Sequence, residues 1–411
     1  MCNLILALFI FVLSLSSLEV SAQPFHTLVT SLHKDPSTSL HTITLTLNPS
    51  EQYLVDLDAP FIWNQCDSLH LPVFCDESDC LTARRYMSPL CPETNNTHSS
   101  DQCLCYDTPV NPITGSCALT NASRNVLTVY WTAGRSLSTY RIQYFNRFVS
   151  CAPSSLLQSL PAQAIGVASL SQSTLSLLYQ FIIDDVTQKF SLCLSSSSDD
   201  QGVIFFGDGP YYLEPPANFD ASSILSYIPL IKNPSALGYF INVTGISINQ
   251  KAISIPPNTF GLDVSGGVKL STTVPYTTLR SDIYSVFMSE FKKAVDGFPR
   301  GKKVSPLEYC FKTNVTRPTK VGSIPRIDLV LGDGAYWNIH NSNLLKQVDA
   351  DASCLAIVNG GNTAEHAVVI GTYQLENIML QFDLAQSRLG FSSSLSSFGS
   401  SCGSFDFTVR P

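Results

Sequence analysis

The chain has 411 residues, of which 44% are hydrophobic and 14% charged, with a formal net charge of -8. An acidic chain of so few charges, with no basic run, is not a nucleic-acid binder. Its length exceeds what a single core usually serves, so two domains are expected.

The N-terminus carries the apolar run Leu4-Ile-Leu-Ala-Leu-Phe-Ile-Phe-Val-Leu13, followed by the small-residue pattern Val20-Ser21-Ala22. This run is too short to span a bilayer and reads as a secretory signal peptide over residues 1–22. The protein is therefore expected outside the cell. Cysteine usage agrees with export. Cys2 leaves with the signal, and the remaining 12 cysteines suit six disulfides in an oxidising compartment. Seven of them lie between Cys66 and Cys117, so at least one of these pairs outside the cluster. Zinc is the rival use of Cys75 with Cys80, or Cys103 with Cys105. Repeated C-x-x-C spacing and a nearby His pair are both lacking, so no metal or other cofactor is expected. Sequons at Asn95, Asn121, Asn242 and Asn314 fit a secreted glycoprotein.

Thr42-Ile-Thr-Leu-Thr-Leu47 alternates as a half-buried strand should. Next comes Val55-Asp-Leu-Asp-Ala-Pro-Phe-Ile-Trp63, an acid at the end of an apolar strand, then a turn and an apolar pair ending in Trp. A short helix is predicted near Ser173–Phe181, and a strand over Gly202–Gly207. The Pro-rich Glu214–Asp220 segment is the likeliest linker between an N-terminal β lobe, 23–213, and a C-terminal β lobe, 214–411. Tyr239–Ile248 reads as a strand that turns at Asn249-Gln250 into Ala252–Ile255. The best helix runs from about Ser281 to Val295, with Ile283, Phe287 and Phe291 on one face and Asp282 in its first turn.

The two halves repeat a pattern. Val55-Asp56-Leu57-Asp58 has a counterpart in Leu270-Ser271-Thr272-Thr273, each following an apolar strand. Later, Ala164-Ile165-Gly166 in the first half corresponds to Val369-Ile370-Gly371 in the second. Two similar β lobes, each donating a loop to a shared cleft, are expected.

These residues resemble the pepsin-like aspartic proteases over essentially the whole mature length. Asp56 to Trp63 lies on the family's first Asp-Thr-Gly motif, while Val369–Asn377, Phe382-Asp383 and Arg388–Phe391 lie on its C-terminal signature. Phe148–Pro153, Phe190–Leu194, Gly266–Thr272, Pro275-Tyr276 and Gln374–Glu376 narrow the resemblance to a plant branch. It contains xylanase inhibitors, xyloglucanase inhibitor proteins, basic seven-S globulins and gamma-conglutins. The resemblance implies an all-β, bilobal pepsin-like fold with a few short helices, and pairings Cys310–Cys354 and Cys193–Cys402.

The chemistry of this resemblance is incomplete. Peptide hydrolysis of this type needs two carboxylates close enough to share a proton. Asp56 supplies one, but the matching position is Ser271, and the glycines of the two loops are replaced by Asp58 and Thr273, which is expected to distort them. Asp56 and Ser271 thus read as vestigial, and no enzymatic activity is expected. Asp56 and Asp58, at i and i+2 on a strand, stand about 7 Å apart, within the range of glycosidase carboxylates; nothing near them suggests a sugar site. No G-x-S-x-G elbow appears, and His70, His98, His340 and His366 stand alone. Tyr130-Trp131 falls in the region of the family's flap, where it lines the cleft or simply packs.

In the inhibitors, loops of the C-terminal lobe bring a basic side chain to the catalytic carboxylates of a microbial glycoside hydrolase. That implies a protein partner here, met by loops at roughly Thr316–Ile324 and Ser394–Ser401. The first carries Arg317 and Lys320. The second carries no cation: the family's second arginine falls near Gly399 and the xylanase inhibitors' histidine near Ser397. Xyloglucanase is therefore favoured over xylanase as the target. A storage or stress-related globulin, and a decoy acting through other loops, are the alternatives.

Overall fold

The computed structural model describes residues 27–46, 48, 50–66, 71–91, 103–182, 186–312 and 324–410. Residues 1–22, expected to be a signal peptide, and His70, Asn95, His98, Asn314, Arg317 and Lys320 lie outside the described residues. Of the other two sequons, Asn121 is half-buried in the strand Thr120–Thr132, while Asn242 is exposed between Phe240–Ile241 and Val243–Ile248.

A six-stranded antiparallel sheet runs through both halves. Thr27–Lys34 pairs with Gly202–Phe206, which pairs with Lys189–Cys193; Met379–Asp383, Arg388–Phe391 and Ser226–Ile231 follow in turn. Each half supplies three strands in the same order from edge to seam. At the seam Phe190 stands opposite Phe382, their rings stacked 4.5 Å apart and both fully buried. Burying two such side chains contributes about 1.5–3 kcal/mol each.

Above this sheet the halves repeat one arrangement. Gln52–Asp56 runs parallel to Ala164–Ser169, and Trp63–Gln65 inserts antiparallel to Ala164–Ser169 and parallel to Ser136–Ala152. In the second half Val268–Leu270 runs parallel to Val368–Ile370, and Thr277–Leu279 inserts antiparallel to Val368–Ile370 and parallel to Ile357–Asn359. The crossing explains the two apolar pairs closed by glycine. A Cβ on Gly166 would lie 2.0 Å from the Trp63 carbonyl oxygen, and one on Gly371 would lie 2.6 Å from the Tyr276 backbone.

The helix Ser281–Ala294 buries Ile283, Phe287 and Phe291, as its spacing requires. The helix expected from Ser173 is confined to Leu177–Phe181. The Ser173 hydroxyl takes the Leu175 amide and the Ser173 carbonyl takes the Ser176 amide, so that segment closes a local turn instead. Asn249 and Gln250 have φ of 50° and 63° and join Ile248 to Lys251 in a two-residue hairpin. The strand after it is limited to Lys251–Ala252.

Among the described residues all 12 cysteines, Cys66 to Cys402, are paired, so none of these is left to ligate zinc. Cys75–Cys103, Cys80–Cys105 and Cys91–Cys117 staple the first half, and Cys66 reaches out of the cluster to Cys151. Cys310 joins Cys354, and Cys193 joins Cys402 across 209 residues. Two polar links reinforce the second half and its join to the first. Buried Gln374 accepts the Thr277 amide and hydroxyl and donates to the carbonyls of Asn343 and Ala356. Glu376, also buried, takes the Lys34 ammonium of the first half at 2.7 Å.

Candidate functional site

The two repeated loops meet at one cavity of 390 Å³, which Asp56, Asp58, Lys269, Ser271 and Thr273 all line. Both loops are closed by the same local bond. The Asp58 amide donates to Asp56 Oδ1 at 2.8 Å, and the Thr273 amide donates to Ser271 Oγ at 3.2 Å. Neither Asp58 nor Thr273 has a positive φ. This corrects the expectation that losing the glycines distorts the loops: only left-handed backbone requires glycine, and neither position adopts it.

The loops are also tied to each other, in one direction. Thr272 Oγ1 donates to the Val55 carbonyl at 2.8 Å and accepts the Leu57 amide at 3.3 Å. Leu57 occupies the corresponding place in the first loop and has no hydroxyl to return the contact; it is buried in the core instead.

Asp56 is 5% exposed. Burial, then the neighbouring Asp58 charge, pushes its carboxyl up to about 6, against the opposing pull of the Asp58 amide and the Lys269 ammonium. Asp58 itself is ion-paired with Lys269, which comes from the strand leading into the Ser271 loop. The pair bridges the two loops. It also separates the roles of the two acids: Asp58 is committed to Lys269, and Asp56 to the Asp58 amide, rather than both facing a bound sugar. Ser271 is 6% exposed; its amide donates to the Ile370 carbonyl at 3.0 Å, and its hydroxyl also meets the Thr273 hydroxyl at 3.1 Å.

The opposite wall is formed by Val110 and Pro112, held down by the Trp63 indole, which donates to the Val110 carbonyl at 3.1 Å. Tyr130-Trp131 does not line this cavity. Both residues lie near the end of the strand Thr120–Thr132, opposite Val29 and Leu28, and the Arg141 guanidinium sits 5.4 Å from the Tyr130 ring centre. His366 lies on the rim, bonded to the Gly266 carbonyl at 2.8 Å. Lys269 is the residue that sequence reasoning missed. Its signal was present: a lone cation in the apolar strand immediately before position 271.

The loop at Ser394–Ser401 lies away from this cavity. Leu395–Phe398 forms a 3-10 turn whose Phe398 ring stacks on Phe219 at 5.6 Å, and Ser400 donates to the Leu213 carbonyl. Ser397 and Gly399 are exposed. A Cβ at Gly399 would meet nothing within 4 Å, but its φ of +73° favours glycine, so a side chain there costs about 1 kcal/mol.

Comparison with known proteins agrees with this geometry. Residues 42–208 match the family described as Xylanase inhibitor N-terminal, and residues 238–393 match Xylanase inhibitor C-terminal. The chain is 33% identical to Chitinase CLP of Oryza sativa subsp. japonica, over 93% of this chain and 92% of that one. It is 34% identical to Gamma conglutin 1 of Prunus dulcis, over 99% and 95%. The crystal structure of edgp superposes with a TM-score of 0.83 at 32% identity, covering 94% of this chain and 99% of that one. The chain therefore belongs to the xylanase-inhibitor family of pepsin-like proteins, which also includes the gamma conglutins.

Proposed function

We propose that this chain is a secreted, proteolytically inactive member of the family that binds and inhibits a microbial glycoside hydrolase in plant defence. The xyloglucanase type is favoured over xylanase. The carrying observation is the cleft: a hydroxyl, Ser271, where a second carboxylate is required, and beside it an Asp58–Lys269 ion pair. A hydroxyl cannot share a proton with Asp56 at working pH, so the base and the acid of peptide hydrolysis are not available together. The scaffold then serves recognition. A desolvated cation presented to paired carboxylates is strongly attracted and blocks substrate, and Lys320, three positions after Arg317 in the sequence, is the cation assigned to that task.

The test is a panel of fungal and oomycete xyloglucanases and xylanases, with binding and activity measured in parallel. Nanomolar binding to a xyloglucanase is expected, weakened most by Lys320→Ala, less by Arg317→Ala and hardly at all by Ser397→Ala. Gly399→Arg adds a charge-assisted contact of about 1–3 kcal/mol, less the backbone cost at that position. Similarity to a gamma conglutin along nearly the whole chain supports a second reading, a storage or stress-related globulin. Absence of binding to every panel member at micromolar concentration selects it. Pepstatin-sensitive cleavage of casein at acid pH by the wild-type chain overturns the inactive cleft.

A further inference from the structure

Cations are unevenly spread over this acidic chain. Lys292, Lys293, Arg300, Lys302, Lys303 and Lys312 all fall between the end of the helix Ser281–Ala294 and the strand Cys310–Lys312. The fold brings Lys292, Arg300 and Lys303 to the wall of one hollow of 820 Å³. The Arg300 guanidinium lies 3.5 Å from the centre of the Tyr309 ring and the Lys292 ammonium 6.0 Å from the same centre. Stacking on this ring holds the guanidinium at the wall of the hollow.

These charges have no internal counter-ion. Among the described residues, none of the three makes an ion pair, whereas Lys34, Arg124, Lys189, Lys269 and Arg388 each do. The carboxylate on the same wall, Glu308, lies beside Tyr284, whose hydroxyl is pushed up to about 12 by burial and then by that charge. Ser289 and Asn359 add neutral donors. The Asn359 carbonyl is already occupied by the Ser281 hydroxyl and the Gly361 amide, so its NH2 is what remains to bond a ligand. With three cations against the one carboxylate of Glu308, the wall keeps a net positive charge that an entering anion offsets.

The size of the hollow and its mixture of cations with amide and hydroxyl donors exceed what one small inorganic anion uses. Concavity suits a chain that enters it better than the convex face of a folded protein. We propose that this hollow binds an acidic oligosaccharide of the uronic-acid class, its carboxylates at Lys292, Arg300 and Lys303 and its hydroxyls at Ser289 and Asn359. The site is independent of the hydrolase reading and of the cleft.

Calorimetric titration of the full secreted chain with oligogalacturonides tests it. Binding is expected, weakening with salt, and absent for the fully methyl-esterified oligomer. Combining Lys292→Gln, Arg300→Gln and Lys303→Gln should lower affinity by about a hundredfold or more. Combining Arg84→Gln, Arg85→Gln and Lys232→Gln, which removes the same charge from exposed sites elsewhere, should change it by less than about threefold. Thermal unfolding verifies that each variant is folded, and Lys303→Gln alone carries the test if the triple variant is not. No binding by wild type, equal binding of the methyl ester, or equal losses in the two triple variants overturns the proposal. So does hydrolase binding that falls in the first triple variant while oligogalacturonide never binds, which assigns the patch to an acidic protein surface. Inhibition is scored on the separate panel, so its failure leaves this result standing.

Discussion

The Asp56 and Ser271 loops occupy equivalent places in repeated β units and are closed by the same backbone bond, yet they carry different chemistry. In each, the first side chain accepts the amide of the third residue. That amide needs an acceptor, not an acid, and a hydroxyl serves. The architecture of the cleft therefore needs no second carboxylate. The reverse holds for the middle residues. Thr272 bonds across to Val55 and Leu57, while Leu57 offers nothing back, so the side-chain-to-backbone bonds of the junction come from one residue, beside the Asp58–Lys269 ion pair.

The largest effect expected from this asymmetry is at Thr272. Thr272→Val keeps the shape but leaves the buried Val55 carbonyl and Leu57 amide unpaired, at a cost of about 2–4 kcal/mol. Leu57→Thr, which makes the loops alike, should not recover that loss, because it removes an apolar side chain from the core. Chemical denaturation of both variants and the double variant measures this. A Thr272→Val cost below the cost of Leu57→Thr breaks the comparison.

Next in size is the ionisable member. Asp56 has a folded pKa of about 6, raised above its ordinary value of 3.8. A carboxyl whose pKa is raised by folding adds stability that is fully present below the unfolded pKa and lost as pH rises through the folded one. Between about pH 4 and 6 the wild type should therefore lose about 2–3 kcal/mol from this group alone. Asp56→Asn retains an acceptor for the Asp58 amide and removes that loss. It should be more stable than wild type at pH 8 and should not be at pH 4. Equal differences at both pH values would show that Asp56 does not carry the raised pKa.

A smaller effect is expected at the ion pair that bridges the loops. Lys269→Met leaves Asp58 unpaired beside Asp56 and should cost about 1–2 kcal/mol, reduced from the fully buried case because the Asp58 side chain is 35% exposed. Asp58→Ala made together with Lys269→Met should recover most of it. A double-mutant cycle with no coupling would remove the pair from the account of the cleft.

Much of this was legible in the sequence because it is local or repeated. The two apolar pairs closed by glycine, the matching of position 56 with 271, the helix face of Ile283, Phe287 and Phe291, and the turn at Asn249-Gln250 all follow from spacing and residue type. What escaped depends on contacts between distant residues. Lys269 meets Asp58 across 211 positions, and Thr272 meets Val55 across 217. Val110 and Pro112 reach the cleft because Trp63 anchors their loop, whereas Tyr130-Trp131, the more conspicuous aromatic pair, is used up in strand pairing. The loss of both glycines looked more damaging than it is, since residue type alone does not reveal φ.

The smallest effect should come from Ser271 itself. Ser271→Ala removes the acceptor of the Thr273 amide, at 3.2 Å, and the partner of the Thr273 hydroxyl, at 3.1 Å. Thr273 is only half-buried, so water can take over part of both bonds, and a cost of about 0.5–1 kcal/mol is expected. Serine does not titrate in the accessible range, so that cost should be the same at pH 4 and pH 8, in contrast with the pH-dependent difference at Asp56. Denaturation of Ser271→Ala at the two pH values makes the measurement. A loss above about 2 kcal/mol would mean that the hydroxyl holds the second loop together as firmly as Thr272 holds the junction. Position 271 would then serve the second loop as a structural bond in its own right.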